Sequence, residues 1–137
     1  MRLSRQNLVK ALAIGMLLMF FLPVIAIANS EMDELNKLMK DVTEKRSTPD
    51  QLRDFEEKLI DNYGHAVPPD TIKRLVKEFT PGEALAIVAC MRVVEKTNDE
   101  IINMRKSGME CDKISEKLNV NLENIIKRIK AFRRMGC

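Results

Sequence analysis

Apolar positions recur along most of this chain at alternating spacings of three and four, the period of an amphipathic helix. No stretch alternates cleanly as a half-buried strand would. Over residues 31–46 the pattern is Met32, Leu35, Met39 and Val42 with charges between them. That is a narrow seam suited to docking on another helix, of this chain or of a partner. Leu52, Phe55 and Leu59 mark a helix over 49–62, and Ile72, Leu75, Val76 and Phe79 mark the next. From Ala84 to Met91 every residue is apolar, so this segment is expected to be surrounded at the centre of the core. Further helices are expected over 98–106, about 111–118 and 122–135.

The helix starts have their own chemistry. Thr48-Pro49-Asp50-Gln51 and Thr80-Pro81-Gly82-Glu83 place a capping hydroxyl first, proline at the opening helical position and a Gln or Glu that can bond back. Thr97-Asn98-Asp99-Glu100 repeats the arrangement without the proline. Gly108 stands where a helix commonly ends in a left-handed residue. The expected fold is all-α, a single small domain of six to seven short helices.

The N-terminus departs from this pattern. A basic stretch from Met1 to Lys10 precedes an apolar run from Ala11 to Leu22, then Pro23, then Ala26-Ile27-Ala28. This resembles a secretory signal peptide with a small-x-small cleavage site. Cleavage after Ala28 would leave a domain of residues 29–137. The alternative is a retained inner-membrane anchor, since the run nearly spans a bilayer, and only then would the protein contact the membrane. Both readings place the domain outside the cytoplasm, periplasmic or secreted, because the positive end stays inside.

Charge changes meaning once it is located. The chain has 137 residues and a formal charge of +3. Arg2, Arg5 and Lys10 supply all of that surplus, and residues 29–137 hold 20 basic and 20 acidic side chains. Within them, residues 29–100 carry −5 and residues 101–137 carry +5. Lys127, Arg128, Lys130, Arg133 and Arg134 concentrate the positive end on the last helix, a candidate contact surface for phosphate, a protein partner or an anionic surface.

Residues 97–137 carry a family resemblance. Ile114 and Leu118 are spaced as inward residues, Ser115 is small at a helix crossing, and Asn119 occupies a turn position that tolerates left-handed angles. Val120 plugs the core, Asn121 caps the following helix, and Ile125 and Ile129 pack back. The pattern resembles the helix-turn-helix units closing many sigma factors and response regulators. The resemblance implies a third helix that enters the DNA major groove, with Leu122, Glu123, Asn124, Lys127 and Arg128 at the reading positions. The bulky Leu122 and acidic Glu123 depart from the family pattern, and export would separate the protein from the chromosome.

Catalytic and metal chemistry find little support. There is one His and no Trp, and no Gly-rich phosphate loop. His65, Cys90, Cys111 and Cys137 lack metal-site spacing, so no metal or other cofactor is expected. Met32, Met39, Met91, Met104, Met109 and Met135 fall at core spacings rather than in a copper-binding cluster. Three cysteines leave one unpaired in an oxidising compartment, and Cys137, at the terminus, is the candidate for an intermolecular disulfide. The sequence thus points to an exported, non-enzymatic helical protein acting in binding or assembly. A protein partner or a second copy is favoured over nucleic acid. The alternative is a nucleic-acid-binding helix-turn-helix protein whose N-terminal segment is a membrane anchor or is not a targeting signal at all.

Overall fold

The computed structural model describes residues 30–94 and 98–135. Residues 1–28, which resemble a signal peptide in sequence, the expected Thr97 cap and Cys137 lie outside the described residues. Seven helices and no strand occur among those described: α1 over residues 30–44, α2 (Pro49–Tyr63), α3 (Pro69–Glu78), α4 (Pro81–Val93), α5 (Asn98–Lys106), α6 (Cys111–Lys117) and α7 (Leu122–Arg134). None of them is long and apolar enough to cross a membrane.

Local chemistry accounts for most of the boundaries. Thr48 and Thr80 each accept the backbone N–H three residues on, while Gln51 and Glu83 accept the N–H of the capping threonine. Each box satisfies donors that a helix start leaves open. Helix α5 ends through Gly108 at φ 89°, and α6 through Asn119 at φ 53°. In both, the following amide reaches back five residues, Met109 N–H to Met104 O and Val120 N–H to Ser115 O. These are two successive left-handed caps of one type, built once on Gly and once on Asn.

The core is one cluster organised around α4, in which every residue from Ala84 to Met91 is buried. Helices α2, α3, α5 and α7 all pack on it. Phe132 of α7 meets Phe55 edge-on, with centroids 5.8 Å apart, and stacks on Tyr63 at 6.1 Å, which ties α2 to α7. Leu52, expected in the core, is only half-buried, and Tyr63 takes an inward place one turn beyond Leu59.

Helix α1 docks through its apolar seam. Leu35 and Val42 have no exposed surface, Leu38 joins them, and Met32 and Met39 pack partly buried against the core. The contact is backbone-close at Gly82, whose N–H donates to Thr43 Oγ1 at 3.0 Å. A Cβ on Gly82 would lie 2.1 Å from the Met39 carbonyl oxygen. Charged clamps hold the C-terminal unit to the rest. Arg105 of α5 pairs with Glu83 of α4, Lys106 with Glu78 at 2.7 Å and Arg74 with Asp99 at 3.0 Å.

Candidate functional site

The seam suited to docking on a helix of this chain or of a partner packs within the domain. Leu35 and Val42 are fully buried in the protein's own core, and Met32 and Met39 pack partly buried against it. Gly82 contributes: without a side chain there, α1 approaches α4 closely enough to bury Leu35 and Val42 and to cover part of Met32 and Met39.

The basic residues of the last helix do not form one stripe. Lys127 turns along its own helix to Glu123 at 2.9 Å. Arg128 is half-buried and lies close enough to Tyr63 to oppose the upward pull that burial exerts on the phenol's pKa. Lys130 and Arg133 reach across to Glu34 and Asp41 of α1. The acidic first part of the chain therefore meets the basic last part within the same molecule. Arg134 is exposed. Leu122, at a reading position implied by the helix-turn-helix resemblance, is only 7 % exposed and serves the core. Glu123 and Asn124 are exposed there, with Glu123 paired to Lys127. The turn places most of its residues as their chemistry suggested, with Leu118 and Val120 less buried than expected. Ile114, Ser115, Ile125 and Ile129 are buried, Leu118 and Val120 are half-buried against the core, and Asn121 accepts the Glu123 N–H.

A groove of about 780 Å³ opens where the ends of α1 and α7 meet α2. From α7 come Lys130, Arg133 and Arg134, and from the end of α1 come Lys45 and Arg46. Helix α2 adds Lys58, Gln51, Asp54 and the edge of Phe55. Six cations thus surround one acid. The chain tolerates this because two helix C-termini converge here, and their partial negative charge favours cations in the last turn. Asp41 behind the groove helps: a hydrogen bond from Lys45, with the charge of Arg133 nearby, holds its carboxyl below the usual range. Arg46 is fixed by donating to Val42 O at 2.9 Å and by lying 4.8 Å from the Phe55 ring centroid.

The α7 half of this groove was readable in the sequence, whereas Lys45, Arg46, Gln51, Asp54 and Lys58 were not. Lys45 and Arg46 carried a faint signal as adjacent cations at a helix end. Nothing local says that this end lies beside the end of α7.

A second space, between α4, α5, α6 and α7, has a volume of about 10 Å³ and an apolar lining that includes Cys90 and Cys111. It has room for a single water at most. Burial pushes the Cys90 thiol up to about 12 and raises that of Cys111 as well, which keeps both protonated and poorly nucleophilic. Among the described residues, no group of three His, Cys, Asp or Glu side chains is placed to hold a metal ion. His65 is exposed in the loop after α2.

No protein-family model, curated protein or solved structure matches this chain.

Proposed function

We propose that this chain is an exported, non-enzymatic binding or assembly protein that engages an acidic protein partner, or a second copy of itself, through the basic groove. The observation that carries this reading is the convergence of cations from α1, α2 and α7 on one concave surface. Two of these, Lys130 and Arg133, already pair with carboxylates of α1, which is the chemistry an acidic partner would bring. The export part of the reading rests on the signal-like residues 1–28.

Two measurements test the two parts separately. The mass and the compartment of the native chain test export: a start at Asn29, or an intact N-terminus in the membrane fraction with the domain outside, supports it. Recovery from the cytoplasm overturns it. For the groove, a photo-crosslinking residue in place of Lys58 should yield a discrete adduct in intact cells. The same residue at Lys73 on α3 should not. Equal adducts from both positions, or none from Lys58, overturn the binding role.

A second reading, a helix-turn-helix nucleic-acid binder, draws support from the left-handed Asn119 and the Asn121 cap. The buried Leu122 and the Glu123–Lys127 pair count against it. Under that reading, duplex retention should fall steeply with salt and be abolished by charge reversal at Lys127 and Arg128.

A further inference from the structure

The groove presents a mixed set of donors and acceptors, which selects among anionic partners. We infer that it takes an acidic polypeptide segment, in preference to a nucleic-acid backbone or an anionic bilayer. This rests on the binding role proposed above and specifies the partner's chemistry.

Single carboxylates already fit between these cations. Asp41 accepts from Lys45 at 3.4 Å and pairs with Arg133, and Glu34 pairs with Lys130. Guanidinium groups suit such discrete, planar acceptors.

The wall opposite α7 is not purely cationic. Asp54 offers an acceptor. Gln51 uses its carbonyl oxygen for the Ser47 and Thr48 amides, at 3.0 and 3.2 Å, which leaves its NH₂ as a donor. A polypeptide brings backbone N–H groups for Asp54 together with carboxylates for the cations. A phosphodiester backbone brings acceptors only and meets Asp54 as a like charge.

The floor also argues against nucleic acid. Single strands are held by bases stacked on aromatic rings, and the groove's one ring, Phe55, is 1 % exposed and flanked by the Arg46 guanidinium. A space of about 780 Å³ suits a short segment of chain. A flat bilayer would touch only the rim of a concave surface.

The test is a titration of the purified native chain, at about 50 and 200 mM salt, with dansylated hexaglutamate and with its hexaglutamine counterpart. An oligonucleotide in single-stranded and duplex form, and phosphatidylglycerol vesicles, are measured alongside. Hexaglutamate should bind saturably and hexaglutamine should not. The double variant Lys58→Glu, Arg134→Glu should weaken hexaglutamate binding by ~10-fold or more. Its circular dichroism and Tm should match the parent. Lys73→Glu, Lys77→Glu on α3 should change binding by less than ~2-fold. Tighter binding of oligonucleotide or vesicles than of hexaglutamate overturns the inference. So does an absence of hexaglutamate binding, or binding that survives reversal in the groove. Each of these results leaves the Lys58 crosslinking test of the binding role standing, so the two failures are distinguishable.

Discussion

Gly82→Ala is the sharpest test of how this domain closes. The added Cβ would sit 2.1 Å from the Met39 carbonyl oxygen, 2.6 Å from its carbon and 2.7 Å from its Cα. All three atoms are backbone, so no rotamer change relieves the clash. Restoring an ordinary contact of 3.4 Å requires α1 to withdraw by about 1.3 Å at this point. Overpacking of this kind costs ~1–3 kcal/mol. The hydrogen bond from Gly82 N–H to Thr43 Oγ1 is lost with it, at a further ~1 kcal/mol. Alanine's better helix propensity returns at most ~1 kcal/mol. The net expectation is a loss of about 1–3 kcal/mol, read as a drop of roughly 5–20 °C in Tm for a domain of this size. Urea denaturation and thermal circular dichroism measure it, and hydrogen exchange should show α1 amides losing protection first. Gly108→Ala is the control. Unlike Gly82 it has a positive φ, 89°, and nothing lies within 4 Å of its would-be Cβ, so it should cost only the ~1–2 kcal/mol of a left-handed alanine. A Gly82→Ala protein within ~0.5 kcal/mol of the parent would refute the claim that α1 docks through this contact.

Three further outcomes are expected. Asn119→Gly should be neutral or slightly stabilising, and Asn119→Val should cost ~1–2 kcal/mol by chemical denaturation, because the φ of 53° excludes a β-branched residue more strongly than Asn; equal stabilities would refute the left-handed cap. Burial alone would raise the Glu83 carboxyl, but hydrogen bonds from Thr80 and Arg105 outweigh it and hold the folded pKa below the ordinary 4.5. Its stabilisation is therefore complete above about pH 4.5 and lost as pH falls through the lower folded value, so Glu83→Gln should flatten the acid limb of a stability–pH curve, and an unchanged limb would count against the pair. In a Cys137→Ser background, Cys90 and Cys111 should resist DTNB in the native state and react fully in guanidinium, since both thiols are buried and shifted upward; rapid native reaction would show the space between α4 and α6 to be open.

Much of the architecture was legible before any coordinates because the rules that set it are local. A capping threonine followed by Pro and a Gln or Glu satisfies its own backbone wherever it occurs, so α2 and α4 begin where expected. The unbroken run from Ala84 to Met91 had no polar face to offer water and became the centre of the core. Gly108 and Asn119 sit where only residues tolerant of positive φ can end a helix. The site was legible only in part. Lys130, Arg133 and Arg134 stood out as cations on one helix, but their neighbours in the groove are separated from them by most of the chain.

What the sequence by itself determined is the set of helices, their caps and the split of charge between the two parts of the domain. All of these depend on interactions within a few residues or on composition. The tertiary structure decided where those helices touch. It spent the Met32–Val42 seam on the core, because Gly82 lets two backbones meet. It divided the basic helix between internal carboxylates and an open groove, because α1 and α7 bring their ends together beside α2. Those outcomes depend on contacts between residues far apart in the chain, for which neither periodicity nor local charge carries a signal.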